Sequence, residues 1–452
     1  MSSVLVFIIG LCVLATVIGM AIYCIKGLNM TVGFFVASAI WIILAFIGNS
    51  IEPNSAMIGK TVSEVLTAVF QTGPASYGSS VLVNVIFGAF FGVVLTETGI
   101  AASLIRKTVE LGGDRPRITV VLLCIVTTVL FTSLTGVGPY IAIGTIVLPI
   151  MMALGISPLI SVFAFVGSAG VSASLLNIVN FQQYQLIFAT ANQDYASYTY
   201  QDYFPFAIIA AIVTLIIIMS VVCIKIGKKK IAYSWAAQID TSSSTKEVPG
   251  ASYLAVILPE IFIMIFNFPV ILSFILSSVY ALITCGQFKN GFVDACRKIC
   301  KYAADGVISV APMLAFLMTI AMYNACATYI APYLSAVVGP ILPKTALGIV
   351  IFFMIFAILG QFRGPLNIVG SGVALLNVVV GIATWPIEFL YPLFIVTTIV
   401  PQGLDITLSG AVWAMDYAKV PTRDYMKLGI ACAWPMCAVL ELIVYFMFGS
   451  LV

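Results

Sequence analysis

The segment GPLNIVGS, residues 364–371, has a counterpart in the first half of the chain, GPYIAIGT, residues 138–145. The two segments start at 138 and 364, which are 226 residues apart, half the length of the 452-residue chain. A second pair, DYASYTYQDY (194–203) and DYAKVPTRDY (416–425), matches at an offset of 222 residues. Matched pairs in the same order predict an internal duplication, and this duplication determines how the rest of the sequence is divided.

The composition places almost all of the chain in a membrane. Hydrophobic residues make up 62% of the sequence and charged residues 8%, and the mean hydropathy is +1.16. A soluble domain is roughly 25% charged. Apolar runs of about 20 residues, the length that crosses a bilayer as a helix, recur from end to end. The sequence therefore predicts an all-α polytopic membrane protein surrounded by the lipid bilayer.

Several kinds of protein are excluded by what the sequence lacks. The net charge of +3 gives no reason to expect a nucleic-acid partner. The chain has no histidine, which excludes His-based catalytic triads and imidazole zinc sites. Its ten cysteines show no metal-like spacing, and no GxxxxGK[ST] phosphate-binding loop is present. We therefore expect no enzyme activity, no bound metal and no resident cofactor.

The duplication divides the chain into two repeats, each predicted to contain five transmembrane helices and one re-entrant hairpin. The predicted boundaries are the first repeat at 1–227, its hairpin at 118–154, its broken helix at 157–190, a cytoplasmic linker at 228–250, the second repeat at 251–452, its hairpin at 345–381 and its broken helix at 386–415. Gly, Pro and polar residues interrupt both hairpins midway, which favours re-entrance, with two short full crossings as the alternative. Two of the full spans are predicted at 79–105 and 306–335.

Five crossings in each repeat is an odd number, so the second repeat should be inverted relative to the first. With the linker in the cytoplasm, 17 Lys and Arg residues fall inside and two, Lys60 and Lys344, fall outside. This distribution follows the positive-inside rule and places both termini outside a cell (inner) membrane. Inverted repeats with interrupted helices at matching places are typical of secondary transporters, which bind their substrate where the interruptions meet.

The tip of the first hairpin, TSLTGVGPYIAIGT (132–145), offers groups that suit an anion. Ser133 and Thr135 supply hydroxyls, and Gly136 and Gly138 allow a ligand to approach the backbone. The half-helix that follows has free N–H groups at the positive end of its dipole. We predict that these four residues bind substrate; a tight turn with packing glycines is the alternative.

The tip of the second hairpin, GQFRGPLNIVGSG (360–372), contains an arginine inside the predicted membrane region. A guanidinium is costly in lipid and is usually paired and functional there, and its planar fork matches a carboxylate. The predicted substrate ligands in and beside this tip are Gln361, Arg363, Gly364, Asn367 and Gln402. The alternatives for the arginine are a structural ion pair with Asp405 or Glu97, or extension of the side chain to the membrane surface.

The two broken helices, GSAGVSASLLN (167–177) and TTIVPQGLDITLSG (397–410), carry hydroxyls and small residues at mid-span. Freed carbonyls and hydroxyls at such interruptions can hold a cation, although small residues also serve helix packing. Asn177 falls opposite Asp405 in the register of the duplication. The predicted ion-coupling residues are Glu97, Asn177, Asp405 and Thr407. A buried acid can carry a proton, or stay ionised beside Arg363, and the sequence leaves both open.

Two segments carry a resemblance to a known family. GAFFGVVLTETGIAASLI (88–105) and LSGAVWAMDY (408–417) resemble the ion-transporter superfamily, and most closely the gluconate permease family of organic-anion symporters. The resemblance covers most of residues 80–450. It implies a scaffold domain, a mobile transport domain that holds both hairpins, a homodimer and elevator-like alternating access. It also implies small organic acids as substrates, mostly moved together with protons.

Taken together, the residues and the resemblance predict a secondary active transporter. Its substrate should be a small organic anion, such as a sugar acid, a hydroxy acid or another carboxylate. The co-transported cation should be H⁺ or Na⁺, with the proton preferred. The alternative is a sodium/proton antiporter of the same superfamily, which would need acidic residues more than an arginine.

Overall fold

The computed structural model describes residues 2–113, 115–226, 248–289 and 291–452. Within these ranges every regular element is helical and no strand occurs. Most of the predicted linker, residues 228–247, lies outside the described residues. The prediction of an all-α chain is confirmed for the part that is described.

The helices of the first half are α1 Ser2–Ile25, α2 Met30–Ile51, α3 Val62–Glu97, α4 Ile100–Gly112, α5 Pro116–Phe131, α6 Val137–Ala153, α7 Pro158–Leu176, α8 Ile178–Ala191 and α9 Tyr200–Ile226. Those of the second half are α10 Leu258–Met264, α11 Val270–Thr284, α12 Phe292–Val338, α13 Ala346–Phe356, α14 Val373–Ile382, α15 Ile387–Gly403, α16 Ser409–Tyr417 and α17 Thr422–Phe448. Eight helical stretches of the described chain are long and apolar enough to cross a membrane, and five shorter helices are also apolar. The chain is thus a polytopic membrane protein.

Burial separates a central helix from those that face lipid. In the most apolar 18-residue stretch of α7, 83% of the residues are buried. In the corresponding stretches of the other seven long helices, only 33% to 44% are buried. Nearly every residue of α15 is also buried. The two broken helices therefore form the centre of the molecule, while the outer helices expose apolar side chains.

The helix predicted at 79–105 has different boundaries in the structure. It begins at Val62 and ends at Glu97, and Gly99, in a left-handed conformation at φ 82°, separates it from α4. The sequence before residue 79 contains Gly and Pro and reads as a loop. Wide π-helical turns at Ala68–Thr72 and Gly78–Leu82 nevertheless keep α3 continuous. A hydropathy pattern does not reveal such π-helical turns.

The helix predicted at 306–335 is also longer in the structure. The helix α12 has 47 residues and contains Pro312 and Pro332, so it is about 70 Å long at 1.5 Å per residue. Its first three turns carry the basic residues that the prediction assigned to a cytoplasmic loop. The long helix packs against α2, α3, α1 and α14 and so connects both halves of the chain.

Each predicted hairpin consists of two short α-helices joined by a tip. The arms of the first, α5 and α6, have 16 and 17 residues, and those of the second, α13 and α14, have 11 and 10. The first tip spans only residues 132–136, whereas the second contains no α-helix from 357 to 372. One of the eight long apolar stretches is α13 together with the 3₁₀ turns Ala357–Arg363, 18 residues in all. A crossing requires about 20 residues, so two short crossings remain the alternative and re-entrance stays a prediction.

The two broken helices cross at a pair of glycines. A Cβ atom added to Gly403 would lie 2.5 Å from the carbonyl oxygen of Gly170, and one added to Gly170 would lie 3.3 Å from the carbonyl oxygen of Gly403. The helix α7 widens into a π-helical segment, Gly167–Ala173, at this crossing. Only glycine permits the two backbones to approach this closely.

The crossing predicts the effect of one added methyl group. Gly403→Ala should lower the melting temperature of the purified protein, since overpacking of this kind costs about 1–3 kcal/mol. Gly381→Ala is the matched control, because it lies within α14 and a Cβ there meets nothing within 4 Å. Equal melting temperatures for the two variants would show that the helices do not cross here.

Candidate functional site at the second hairpin tip

The second hairpin tip has an unusual backbone conformation. Phe362 has φ 54° and ψ 36°, and Arg363 has φ 57°, so two consecutive non-glycine residues are left-handed. Each such residue costs on the order of 1–3 kcal/mol and persists only where the surroundings enforce it. Strained backbone of this kind concentrates at functional sites, and the surroundings of this tip explain how it is held.

A buried carboxylate holds the strained tip. Asp405, with no exposed surface, accepts a hydrogen bond from the backbone N–H of Phe362 at 2.7 Å. Gln361, with its amide nitrogen turned toward the carboxylate, donates to the same oxygen at 3.2 Å. The other oxygen accepts from the backbone N–H of Thr407 at 2.6 Å and from its hydroxyl. Asp405 therefore joins the tip to the break between α15 and α16.

Asn177 makes the corresponding contacts in the first half. Its side-chain oxygen accepts from the N–H of Val179 at 3.0 Å, just as Asp405 accepts from a residue two positions ahead. Its amide nitrogen donates to the carbonyl oxygens of Phe131 at 3.2 Å and Leu134 at 3.3 Å, beside the first tip. The sequence match between Asn177 and Asp405 thus corresponds to a matched role, in which a break in a helix is tied to a hairpin tip.

Arg363 is 6% exposed, and only part of its guanidinium forms hydrogen bonds. Its Nη1 donates to the Gln402 side-chain oxygen at 3.0 Å and to the Val369 carbonyl oxygen at 3.3 Å. Its Cζ lies 5.3 Å from the centre of the Phe316 ring. The buried Nε has no hydrogen-bond partner among the described residues, and Nη2 donates no hydrogen bond to any of them.

The arginine is not part of a structural ion pair. Among the described residues, no carboxylate oxygen lies within 4.0 Å of an Arg363 nitrogen, and the ion pairs found are Lys298–Asp294 and Lys419–Asp416. The alternative of an Arg363 pair with Asp405 or Glu97 is therefore wrong. The alternative of extension to the membrane surface does not fit a side chain this buried.

The side chains of Asn367 and Gln402 form hydrogen bonds that hold the tip together. The Asn367 amide nitrogen donates to the Gly360 carbonyl oxygen at 3.3 Å and to Gln402 at 3.2 Å, while its oxygen accepts from Val369 N–H at 3.0 Å. Gln402 therefore accepts from both Asn367 and Arg363 through one oxygen. These side chains fix the position of the guanidinium, and their direct contact with a substrate stays a prediction.

The second tip offers no backbone N–H cradle like the one predicted for the first. It shares the Gly-Pro start, but the next helix starts at Val373, and Gly364 N–H donates to the Gln361 carbonyl oxygen at 3.0 Å. The N–H groups of residues 366–372 likewise all have partners within or beside the tip. The N–H groups of this tip are therefore used in its own turns, and anion binding by Arg363 stays a prediction.

The first tip faces a different part of the chain. The Ser133 hydroxyl lies 2.7 Å from a Glu260 carboxylate oxygen and 3.0 Å from the Val256 carbonyl oxygen. The buried Thr135 hydroxyl has no described partner. Gly136, at φ 87°, turns the chain into α6. The sequence does not indicate Glu260, because its contact with the tip depends on the fold and not on any motif.

Both tips contact the same stretch of α12. A Cβ on Gly136 would lie 2.6 Å from the Val310 side chain, one on Gly138 would lie 3.1 Å from Ser309, and Arg363 faces Phe316. Six residues of helix correspond to about 9 Å. The tips are therefore near one another along one helix, although no described hydrogen bond joins them.

Glu97 lies outside this cluster. It is exposed at the C-terminal end of α3, near Tyr302 at the basic end of α12. The coupling role predicted for Glu97 is therefore not supported by its position.

Comparison with known proteins gives the class of the fold. No family model and no curated protein sequence matches the chain. Its structure is similar to the crystal structure of the YdaH transporter of Alcanivorax borkumensis, which has an unusual topology, with a TM-score of 0.61 and 12% sequence identity. The match covers 93% of this chain and 99% of that one.

The chain therefore has the fold of a polytopic membrane transporter. At 12% identity the likeness establishes the fold alone. The more specific resemblance to gluconate permeases stays a prediction.

The Asp405 contacts predict a loss of stability on truncation. Asp405→Ala should destabilise the protein by about 1–3 kcal/mol, the cost of leaving buried donors without an acceptor. Thermal unfolding of the purified protein measures the effect. The control is Asp416→Ala, which removes an exposed carboxylate from a surface pair. If both variants melted alike, Asp405 would not hold the tip.

Proposed function

We propose that the protein is a secondary active transporter that imports a small organic anion in symport with a cation. The substrate is a carboxylate such as a sugar acid or a hydroxy acid, and the proton is preferred over sodium as the coupling ion. The observation that carries this proposal is the buried Arg363 guanidinium, with its Nε and Nη2 unengaged by the described residues.

The guanidinium geometry favours a carboxylate. Arginine has five N–H donors in a planar fork, and toward the described residues Arg363 uses only those of Nη1. The Nε and Nη2 edge is the one that binds a carboxylate through two parallel hydrogen bonds. A buried charge without a hydrogen-bonded counter-ion is costly. A substrate carboxylate would supply both the counter-charge and the missing acceptors.

The balance of charge favours symport. Arg363 supplies one cation at the tip and Asp405 one carboxylate, which is bonded to the N–H of the residue before the arginine. A bound anion adds a negative charge to this otherwise neutral pair, and a co-transported proton or sodium ion would compensate for it. Asn177, Asp405 and Thr407 remain the proposed coupling residues, because each lies where a broken helix meets a hairpin.

The antiporter alternative explains less of the site. It needs an acid that is free to bind and release ions, whereas the Asp405 carboxylate accepts from donors on Gln361, Phe362 and Thr407. It also gives the partly engaged arginine no role. Proteoliposomes given a sodium gradient alone distinguish the two, since only an antiporter would change the internal pH.

The proposal includes the arrangement in the membrane. We infer an inverted repeat in a cell inner membrane with both termini outside, a homodimer, and elevator-like movement of the hairpins against a scaffold. The matched contacts of Asn177 and Asp405 support the repeat. A fluorescent protein fused to the C-terminus should be dark and a periplasmic phosphatase fused there should be active; the opposite pattern would contradict the orientation.

The role of Arg363 is tested by ligand binding. Purified wild type and variants are screened by thermal shift against small carboxylates, with and without sodium, at two pH values. Arg363→Gln should weaken binding at least tenfold, because the counter-charge and the fork are both lost. Arg363→Lys should give an intermediate loss, because the charge stays but the planar fork is absent.

Lys419→Gln is the control for this experiment, since it removes an exposed cation from a surface pair. It should bind every ligand as wild type does. The thermal shift also reports whether each variant is folded in the absence of ligand. Unchanged carboxylate affinity in a folded Arg363→Gln variant would overturn the assignment.

A further inference from the structure

A second polar region lies between α3, α8 and α12. A cavity of about 260 Å³ is lined by hydroxyl groups from all three helices and by one amide. Its polar lining residues are Thr72, Ser76, Tyr77, Thr190, Asn324 and Thr328. The part of α3 that forms one wall is the part that the sequence analysis did not assign to a helix.

Two buried polar atoms in this wall have no hydrogen-bond partner within 3.5 Å among the described residues. They are the hydroxyl of Tyr77, a residue 3% exposed, and the side-chain oxygen of Asn324, a residue 4% exposed. Buried polar atoms without a partner are rare in native proteins, and each costs about 1–3 kcal/mol. Both residues line the cavity, so a molecule bound there could satisfy both atoms.

The backbone of the wall is specialised as well. The π-helical turns Ala68–Thr72 and Gly78–Leu82 flank the segment that bears Tyr77. Such turns occur often at functional sites. Gly73 lies between them, and a Cβ there would be 3.2 Å from the Ala325 side chain, so α3 and α12 are closely packed beside the cavity.

The lining contains no charged residue, which restricts what the cavity can recognise. A hydroxyl group can donate to the Asn324 oxygen and accept from the Tyr77 hydroxyl at once. An ammonium group could donate, but it would need a counter-charge that the lining does not supply. Hydroxyl groups therefore match the two unpartnered atoms best.

The cavity and the arginine site lie along the same helix, α12. Arg363 lies over the ring of Phe316, and the cavity residue Asn324 follows eight residues later, about 12 Å along the helix. Lys60 lies over the ring of Tyr329, a further lining residue, at 5.4 Å from the ring centre. Along α12 the cavity is thus placed between an exposed cation and the buried guanidinium.

We propose that this cavity is a binding subsite that recognises the hydroxyl groups of a small hydroxylated molecule. That the subsite takes part in transport of a hydroxylated carboxylate rests on the function proposed above. That it binds a neutral polyol does not rest on that function. Tyr77 and Asn324 form the specific hydrogen bonds, and the other hydroxyls complete the lining.

Protection of an introduced cysteine tests the subsite. Ser76→Cys places a thiol on the cavity wall, and Ser79→Cys places one on the same helix outside it. The rate of maleimide labelling at each position is followed by peptide mass spectrometry, which separates it from labelling of native cysteines. Three four-carbon probes are compared: erythritol, erythronate and butyrate.

Erythritol and erythronate should slow labelling of Ser76→Cys at least fivefold, and butyrate should not. Labelling of Ser79→Cys should be unchanged by all three. Adding Tyr77→Phe, which removes a single hydroxyl, or Asn324→Leu should abolish the protection. Absence of protection by either hydroxylated probe, or equal protection by butyrate, would overturn the proposal.

Adding Arg363→Gln separates this proposal from the proposed function. Since Arg363 does not line the cavity, the variant should lose carboxylate affinity in the thermal-shift screen and keep the protection of Ser76→Cys by both hydroxylated probes. If the protection persisted and the carboxylate affinity was also unchanged, the subsite would stand and the carboxylate role of Arg363 would fail. If carboxylates bound through Arg363 but no probe protected Ser76→Cys, the subsite alone would fail.

Discussion

The hydrogen bond from the Phe362 N–H to the Asp405 carboxylate is the contact on which the site depends. It holds two left-handed residues that would relax in its absence, and the second of these residues bears the guanidinium. The position of the positive charge is thus set by the backbone of the tip and not by a salt bridge. Because Asp405 is located at the break in a central helix, any movement of that break relative to the hairpin would also move the arginine. Site geometry and helix geometry are therefore mechanically linked.

In both halves of the chain a hairpin tip is bound to a break in a buried helix, but the groups that bind differ. Each has a short hairpin whose tip is tied to a break in a buried helix, and each presents its tip to α12. Only the second tip bears a charge, and only the first is followed directly by a helix with free N–H groups. The two tips are therefore chemically different although their sequences match.

The sequence predicted the helical class, the interrupted hairpins and the correspondence of Asn177 with Asp405, because these depend on hydropathy, glycine and proline placement and repetition. The sequence did not predict features that depend on which polar groups form hydrogen bonds with each other in the folded chain. The start of α3 was missed because π-helical turns accommodate residues that otherwise read as a loop. The N–H groups of the second tip do not resemble those predicted for the first, because they close turns of their own. Glu260 was not selected from the sequence, because only tertiary packing brings it to the first tip.

The difference between Asn177 and Asp405 also bears on how a duplicated chain folds. The amide of Asn177 donates to carbonyl groups of its hairpin, whereas the carboxylate of Asp405 can only accept, and it does so from an N–H group. If the hairpins exchanged places, a carboxylate would face carbonyl oxygens and the pairing would be repulsive. Two similar halves could otherwise assemble with swapped partners. A single change from amide to acid thus assigns each hairpin to its own half and makes the correct pairing of the repeats a property of the sequence.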